Sequence, residues 1–379
     1  SELHPKLVDN PLVTIVPLSR PPKILLQKSY LFYITAPLKV LWQSCSTFQA
    51  LAHRTKPSRW LLVQNPPSIP TLFIALITCF LRNTHLIIDW HNIGWTILAG
   101  TRGVNHPFVS IYRYYEALLG RLAPTANFTV SDAMRRELMN PPYNFLSPVI
   151  TLHDRPAEIF QPIVSVKQRQ QFLQNFPETS IHTANIIAGD TKLVVSSTSW
   201  TPDENFEILL EALCSYASRS EPLPSIIAII TGKGPQKQFY CDRIANLNST
   251  KKLRNVSIIT CWLSAKAYAQ LLACADLGVS MHVSSSGLDL PMKVVDMFGA
   301  GLPVLGYSAY ESWGELVKEG ENGIGFSCSE ELGNVLYELF RDKSGKKLAM
   351  LKAGATRESR RGWDKEWDQV AGRIFGLCD

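Results

Sequence analysis

Short runs of valine, isoleucine and leucine alternate with longer segments of helical periodicity along most of this 379-residue chain. Apolar runs of this length, separated by helices, are typical of parallel sheets that helices cover on both faces. Because the runs form two successive series, they predict an α/β protein with two Rossmann-like lobes. The predicted strands of the first series are 12–16, 60–64, 85–89, 127–130 and 149–152, and those of the second are 193–197, 226–231, 256–260, 277–281 and 303–307.

A segment of weak periodicity separates the two series. Residues 161–190 are rich in Gln, Pro and Thr, which favours a linker with a variable insertion. We therefore predict a first lobe over residues 1–160 and a second lobe over 191–359, and we expect a C-terminal helix in 360–379 to complete the first lobe. Residues 201–204 (Thr-Pro-Asp-Glu) have the pattern of a capping box and predict the start of a helix.

The beginning of the sequence departs from the pattern of a doubly wound lobe. Such a lobe starts with a central strand and a glycine-rich turn, but no glycine-rich turn follows the predicted strand 12–16. We therefore expect the chain to begin inside its first lobe. The most apolar run, 69–81, is about two-thirds of the length that spans a bilayer, so it predicts a buried helix in a soluble or peripheral protein.

Composition and charge narrow the range of partners. The net charge of +6 fits an anionic substrate or membrane surface, and the absence of a basic stripe argues against nucleic acid. Eight scattered cysteines without a CxxC pair predict reduced core residues and no metal cluster. Residues 23–42 and 106–121 mix basic and aromatic side chains. This pattern suits a membrane interface and a polyprenyl acceptor, or else helices that pack on the sheet.

The most informative motif spans residues 284–304. A predicted strand is followed by a loop of small residues and then by a helix that Pro291 opens. A helix N-terminus presents unpaired N–H groups and the positive end of its dipole, so such a loop can hold a diphosphate. The loop residues are Ser284, Ser285, Ser286 and Gly287.

Three charged residues in this motif are spaced to lie near one helical face. They are Asp289, Lys293 and Asp296. Lys293 is suited to meet a phosphate as a point charge, and Asp296 can accept hydrogen bonds from two ribose hydroxyls. The alternative interpretation is a capped helix that carries a solvated ion pair.

Two shorter motifs end predicted strands of the second lobe. Gly232, Lys233 and Gly234 follow the strand 226–231, where small residues allow close approach of a ligand and the lysine adds positive charge. Thr198 and Ser199 follow the strand 193–197, and their hydroxyls can bind phosphate oxygens. Tight turns and caps are the alternative interpretation of both motifs.

In the first lobe, two titratable residues follow the predicted strand 85–89. Asp89 and His91 lie where a parallel sheet binds its ligands, and we expect this edge to face a cleft between the lobes. Histidine titrates near neutral pH, and an adjacent carboxylate can fix its tautomer or act as a base itself. A hydrogen-bonded structural histidine is the alternative.

Taken together, these motifs closely resemble the chitobiosyldiphosphodolichol β-mannosyltransferase family. The likeness covers nearly the whole chain, and the long serine-rich motif is specific to this family. The segments that carry it are 64–67, 89–92, 130–135, 196–200, 232–235 and 284–304.

The resemblance implies a GT-B fold, in which two parallel sheets face a central cleft. It also implies transfer of mannose from GDP-mannose to chitobiosyl-diphosphodolichol, with inversion and a β-1,4 bond, on the cytosolic face of the endoplasmic reticulum. Donor and acceptor are substrates, so no cofactor and no metal are expected. The family carries an N-terminal membrane anchor and associates with later mannosyltransferases of the same pathway.

By position, the resemblance assigns roles to several residues. Asp296 holds the ribose of GDP, while Lys233, Lys293 and the loop 284–287 hold the diphosphate. Asp89 or His91 is the catalytic base. Two features are expected to depart from the family pattern: we expect the anchor and first strands to lie outside this sequence, and Asp203 and Glu204 stand near positions where many GT-B enzymes have Arg and Lys. The second departure gives Lys233 and Lys293 more weight.

Three other functions remain open from the sequence. A retaining GT-B mannosyltransferase with another lipid acceptor would give an α product. A sugar-nucleotide epimerase would consume the nucleotide sugar without an acceptor. A truncated, non-catalytic partner of the pathway would bind GDP or other enzymes without transferring mannose.

Overall fold

The chain forms two compact units in the computed structural model, which describes residues 5–23, 32–122, 124–201 and 204–377. Unit 1 comprises Ser1–Thr129 and Met134–Thr151, and unit 2 comprises Val130–Ala133 and Leu152–Asp379. Unit 2 therefore begins earlier than residue 160 and includes the C-terminal segment that we assigned to the first lobe.

Ion pairs explain why the C-terminal segment groups with unit 2. Arg155 is mostly buried, and its guanidinium lies 3.3 Å from the carboxylate of Glu358 and 2.9 Å from that of Glu366. These bonds attach the segment that opens unit 2 to its last helices. Such pairs join residues about 200 positions apart, so no local pattern in the sequence predicts them.

Unit 1 is built on four parallel strands: β1 (Trp60–Asn65), β2 (His85–Trp90), β3 (Ala126–Thr129) and β4 (Val149–Thr151). The strand order is β1-β2-β3-β4, and each neighbouring pair is parallel. Strand β2 is the apolar centre of the sheet, because Leu86, Ile87 and Ile88 are all buried. Four of the five predicted strands are confirmed within two residues at either end.

The helices of unit 1 lie between these strands or precede them. They are α1 (Pro5–Val8), α2 (Phe32–Gln49), α3 (Thr71–Arg82), α4 (Gly94–Arg102) and α5 (Pro107–Leu122), while α6 (Asp132–Met139) crosses the boundary between the units. Helix α3 buries only one face, so the prediction of a buried helix over 69–81 is half correct: Leu72 is buried, but Phe80 is 87% exposed. None of the helices in the described ranges has the length and hydropathy of a membrane span.

Unit 2 is built on six parallel strands: β5 (Thr191–Ser197), β6 (Ser225–Thr231), β7 (Val256–Cys261), β8 (Leu277–Ser280), β9 (Val304–Tyr307) and β10 (Gly323–Phe326). Their order is β10-β9-β8-β5-β6-β7. Alternate residues of the central strand β5 enter different cores, with Leu193 and Val195 on one face and Val194 on the other. Both faces are therefore covered, as the continuous apolar runs predict.

The helices of unit 2 lie before, between and after these strands along the chain. They are α7 (Val166–Asn175), α8 (Thr183–Ala188), α9 (Phe206–Ala217), α10 (Lys237–Ser249), α11 (Ala265–Cys274), α12 (Met292–Gly299), α13 (Trp313–Leu316), α14 (Ser329–Arg341), α15 (Lys346–Glu358), α16 (Trp363–Trp367) and α17 (Arg373–Phe375). The predicted linker 161–190 contains α7 and α8. Because Leu173 and Ile186 belong to the core of unit 2, this segment is part of the unit and not a spacer.

Three local predictions are wrong. Residues 12–16 form no strand; the N–H groups of Leu12 and Val13 bind Asn10 in a turn, and Leu12 is 92% exposed. The capping box at 201–204 is also wrong, although its middle two positions lie outside the described residues. Helix α9 begins at Phe206, and the side chain of Asn205 accepts the N–H of Glu207. The cysteines are only partly core residues, because Cys45 and Cys328 are exposed.

Candidate functional site

A cavity of about 520 Å³ opens at the carboxyl ends of β5, β6 and β7 in unit 2. This edge of a doubly wound sheet is where such folds bind ligands. The lining combines polar residues, which include Lys293 and Asp296, with apolar and aromatic residues. The lining residues are Ser197, Thr198, Ser199, Thr231, Gly232, Lys233, Trp262, Leu263, Ala265, Tyr268, Lys293 and Asp296.

Two glycines allow the loops after β5 and β6 to lie against each other. A Cβ atom on Gly232 would stand 1.7 Å from the carbonyl oxygen of Thr198, and one on Gly234 would stand 1.7 Å from that of Ser199. Any side chain at either position would push the loops apart. The sequence predicted close approach of a ligand at these glycines, whereas their closest neighbour is the backbone of the facing loop.

The buried carboxylate of Glu204, which the sequence motifs did not assign to the site, supports several residues of the cavity lining. Glu204 accepts hydrogen bonds from the hydroxyl of Thr198 at 2.8 Å, and from the N–H and hydroxyl of Ser199 at 2.6 and 3.0 Å. It also forms an ion pair with the ammonium group of Lys293. Burial alone would raise the pKa of Glu204, but Lys293 and the loop donors together outweigh burial and hold that pKa below its ordinary value.

The lysine of the second motif contacts an aromatic ring. The Nζ atom of Lys233 lies 4.2 Å from the ring centroid of Trp262, a cation–π geometry. Trp262 follows the edge strand β7 and is 60% exposed, although it is a large apolar side chain. The sequence reasoning missed this residue, because a single tryptophan after a strand carries no recognisable pattern.

Asp296 lines the cavity from helix α12. Burial raises the pKa of its carboxyl group to about 7, so near neutral pH both protonation states are populated. The hydroxyl of Tyr268, which also lines the cavity, donates a hydrogen bond to Ser197 Oγ at 3.0 Å, and burial raises the pKa of this tyrosine to about 12. The cavity thus brings together Lys233, Lys293 and Asp296, as predicted.

The serine loop is organised by its own aspartate. Asp289 is mostly buried and accepts hydrogen bonds from the hydroxyls of Ser284 and Ser286, and its carboxylate lies 3.2 Å from Nε2 of His282. Ser284 Oγ also accepts the N–H of Gly287 at 2.7 Å. Since α12 begins at Met292, Asp289 precedes the helix and does not share a helical face with Lys293 and Asp296, which corrects the prediction.

Within the described residues, the loop 284–287 does not line the cavity. Its position at the start of the segment leading into α12 is as predicted, but the hydroxyls of Ser284 and Ser286 already donate to Asp289. Their hydrogen bonds close the loop on itself. Direct binding of a diphosphate by these two hydroxyls therefore stays a prediction that requires the loop to rearrange.

The predicted pair in unit 1 forms a direct contact. Asp89 is the second-last residue of β2, and its Oδ2 lies 2.9 Å from Nε2 of His91; both side chains are partly exposed. The N–H of His91 donates to the carbonyl oxygen of Asn65 at 2.8 Å, which fixes the start of the loop after β2. A carboxylate that holds an imidazole and remains open to solvent can exchange protons with a bound hydroxyl.

A second buried carboxylate holds the loops beside this pair. Glu116 on α5 is fully buried, and its Oε1 accepts hydrogen bonds from Asn65 Nδ2 at 3.0 Å, Ser68 Oγ at 2.6 Å and the N–H of Gly94 at 3.0 Å. Its Oε2 lies 3.4 Å from the N–H of Trp95. All these donors are neutral, and they join the loops after β1 and β2.

Comparison with known proteins decides the family. No protein-family model matches the chain. It is 50% identical over 377 residues to "Chitobiosyldiphosphodolichol beta-mannosyltransferase" of Arthroderma benhamiae, an alignment that covers 98% of this chain and 84% of that protein. The protein of the same name from Candida albicans is 37% identical and is covered to 78% of its length. The chain belongs to the chitobiosyldiphosphodolichol β-mannosyltransferase family.

Membership confirms the resemblance inferred from the motifs, and the chain is a mannosyltransferase. "UDP-glycosyltransferase TURAN" of Arabidopsis thaliana is also similar, at 39% identity over 97% of this chain and 87% of that protein. Solved structures confirm the predicted GT-B fold. Anabaena Alr3699/HepE in complex with UDP matches with a TM-score of 0.65 at 17% identity, covering 88% of this chain and 82% of that one. Sucrose-phosphate synthase of Thermosynechococcus elongatus matches with a TM-score of 0.63 at 14% identity, covering 97% and 81%.

One further cluster in unit 2 of this family member involves Asp132, His153 and Glu315, whose ligand-type atoms all lie within 4.8 Å of one another. His153 lies 3.3 Å from Glu315 and 3.6 Å from Glu366, and hydrogen bonds to these carboxylates raise its pKa to about 9. The pKa of Glu366 is lowered to about 2, chiefly by His153. His153 therefore lies in an ion-pair network with Glu315 and Glu366.

Proposed function

We propose that the chain transfers mannose from GDP-mannose to chitobiosyl-diphosphodolichol, with inversion and formation of a β-1,4 bond. The observation that carries this proposal is the cavity of unit 2, where Lys233, Lys293 and Asp296 lie beside an exposed aromatic ring. An anionic diphosphate, a diol and a flat base are the three parts of a nucleotide that these groups suit. The donor is a substrate, so the proposed reaction needs no cofactor.

The parts of the donor are assigned by charge and shape. Lys293 and Lys233 hold the diphosphate as it leaves, because their positive charge stabilises the charge that develops there. The carboxylate of Asp296 accepts hydrogen bonds from the ribose hydroxyls. The guanine base stacks on Trp262, since every nucleobase offers a flat face to an aromatic ring.

Proton transfer is assigned to unit 1. Either the carboxylate of Asp89 or the imidazole of His91 accepts the proton of the acceptor 4-hydroxyl while that oxygen attacks the anomeric carbon. The distance of 2.9 Å between their side chains supports a shared proton or a fixed tautomer. The choice between the two bases depends on which one contacts the hydroxyl.

An exposed apolar face on α5 supports a membrane-bound acceptor. Its side chains recur every three or four positions, so they lie on one stripe of the helix. We place the enzyme on the cytosolic face of the endoplasmic reticulum membrane, where this stripe would contact lipid and the polyprenyl chain, and later mannosyltransferases of the pathway would take up the product. The exposed residues of the stripe are Phe108, Ile111, Tyr114, Leu118 and Leu122.

The direct test is an assay of the chain with GDP-mannose and phytanyl-linked chitobiosyl diphosphate. We expect a single mannose to be added, with NMR couplings of a β product, and no transfer from UDP-mannose or UDP-glucose. An α product would replace this function with that of a retaining enzyme, and GDP binding without transfer would leave a non-catalytic partner. Transfer from a UDP-sugar would overturn the donor assignment.

The roles of the two bases need separate variants. We expect Asp89→Asn or His91→Gln, whichever removes the base, to lower kcat about 100-fold or more with GDP affinity unchanged. If both single variants keep near-normal turnover, the base lies elsewhere. A matched control is Asp190→Asn, a carboxylate at the start of β5, for which we expect no change.

A further inference from the structure

We propose that Glu204 is a positioning residue for donor binding, which holds Lys293 and the Thr198–Ser199 loop in place from behind the cavity wall. This inference rests on the proposed function, because it assumes that the cavity binds the diphosphate of a nucleotide. It adds a residue that the family motifs do not single out.

The position of Glu204 relative to the cavity distinguishes it from a ligand-binding residue. Only 4% of Glu204 is exposed, and in the part of the chain that the structure describes it is absent from the cavity lining. Its partners Thr198, Ser199 and Lys293 all line the cavity. Glu204 therefore contacts the wall from the protein side and cannot reach a bound nucleotide without displacing its own partners.

The two carboxylate oxygens of Glu204 bind different partners. Oε2 accepts all three hydrogen bonds from Thr198 and Ser199, whereas Oε1 accepts the ammonium group of Lys293. The first oxygen fixes a loop that follows β5, and the second fixes a side chain of α12. One residue thus sets the spacing between two walls of the cavity.

The fixed ammonium matters because lysine is otherwise a flexible cation. A free lysine loses much rotamer entropy when it binds a phosphate, and part of that cost is removed if the side chain is already held. The carboxylate also remains buried only because Lys293 compensates its charge. Lys293 and Glu204 therefore hold each other in place as an ion pair before the donor binds.

The division between the oxygens makes Glu204→Gln a selective variant. Its amide oxygen can take the place of Oε2 and keep the loop bonds, while its amide nitrogen meets the ammonium of Lys293 as a second donor. The loop then stays closed and only the lysine is released. Glu204→Asp keeps the charge but shortens the side chain, so it can no longer reach both the loop and Lys293. It replaces the glutamine variant in the test if that variant does not fold.

The test measures the affinity for GDP and for guanosine by calorimetry, in the whole chain. The dissociation constant for guanosine divided by that for GDP isolates the contribution of the diphosphate. A larger ratio means that the diphosphate contributes more to binding. We expect Glu204→Gln to reduce this ratio about tenfold, because Lys293 no longer meets the phosphates in a fixed position. The KM for GDP-mannose should rise in parallel, with a smaller change in kcat.

The matched control is Glu207→Gln, in the first turn of helix α9, three positions after Glu204. Glu207 forms an exposed pair with Arg243 outside the cavity lining, so we expect its substitution to leave the ratio unchanged. In a Lys293→Ala background, Glu204→Gln should have little further effect on the ratio, because its action passes through the lysine.

Other outcomes overturn the inference. A glutamine variant that melts earlier but keeps the wild-type ratio would make Glu204 a structural residue only. A ratio that increases would show that the carboxylate competes with the diphosphate for Lys293. Failure of the wild-type chain to bind GDP at all would instead refute the proposed function, and this inference with it.

Discussion

Two buried glutamates, one in each unit, hold loops at sheet edges in different ways. Glu116 in unit 1 is fully buried and receives only neutral donors, three of them on Oε1. Glu204 in unit 2 is 4% exposed and receives neutral donors on one oxygen but an ammonium group on the other. The local arrangement is similar, since each carboxylate accepts hydrogen bonds from a loop that follows a parallel strand.

The two glutamates differ in the kind of partner that they hold in place. The partners of Glu116 are loop groups beside the Asp89–His91 pair, so their bonds determine where the loops lie. One partner of Glu204 is a cation on the wall of the cavity, so its bond also determines where a charge lies. We infer that a carboxylate satisfied by neutral donors serves stability, whereas one paired with a cavity lysine serves binding.

The largest expected effect is on the stability of unit 1. Glu116→Ala removes the acceptor of two buried donors, Asn65 Nδ2 and the N–H of Gly94, whereas the hydroxyl of Ser68 can still donate to Asn65 Oδ1. The change should cost about 3 kcal/mol in the free energy of unfolding. Glu116→Gln should cost less, because one amide oxygen can replace Oε1. Urea unfolding measures both, and an alanine variant as stable as wild type would contradict the role of neutral donors.

The next largest effect separates Lys293 from its partner. We expect Lys293→Ala to lower kcat/KM for GDP-mannose about 100-fold, because the departing diphosphate loses a positioned cation. Lys237→Ala at the start of α10 is the control, since this lysine does not line the cavity. Steady-state kinetics measure the effect. Unchanged transfer in Lys293→Ala would contradict the assignment of Glu204 and Lys293 to donor binding.

A smaller effect is expected for Trp262, the exposed aromatic residue of the same cavity. Trp262→Ala should weaken GDP binding about tenfold through the loss of base stacking, and Trp262→Phe should recover most of the affinity. The ratio between guanosine and GDP should stay as in wild type, in contrast to Glu204→Gln. Phe239→Ala, an exposed aromatic on α10, is the control. Equal affinity in Trp262→Ala would place the base elsewhere.

The smallest effect concerns Asp296, a buried carboxylate of unit 2 with a raised pKa of about 7. Because the folded state binds its proton more tightly than the unfolded state, this residue lowers stability progressively as the pH rises from about 4 to about 7. Asp296→Asn should therefore raise Tm at pH 8 and change it little at pH 4, while weakening GDP binding. Thermal unfolding at both pH values tests this, and an equal shift at both would contradict the titration.

The sequence predicts those parts of the molecule that depend on local patterns. Strands β5 to β7 are continuous apolar runs, so their carboxyl ends, and with them the cavity, follow from the order of residues. Strand β10 escaped prediction because Gly323 and Gly325 interrupt its short apolar run. Residues 12–16 have a strand-like composition, but no described strand pairs with them, and β-propensity alone does not supply a partner.

The sequence cannot predict contacts between distant residues. Glu204 has the local features of a helix cap, yet its pairing with Lys293, 89 positions later, lets it support the cavity wall from behind. Glu116 looks like an ordinary acidic residue of an amphipathic helix, and its buried role depends on loops about 50 positions earlier. Asp289 was assigned to a helical face on its spacing from Lys293 and Asp296 alone, although it precedes α12, which begins at Met292.

The two glycines after β6 leave little room for change. Since Gly232 and Gly234 meet the facing backbone where a methyl group would stand, both positions reject every other amino acid, however conservative. Random mutagenesis of this stretch should return the same two residues each time. Engineering of nucleotide preference would have to begin at Trp262 instead, whose exposed ring leaves space for alternatives.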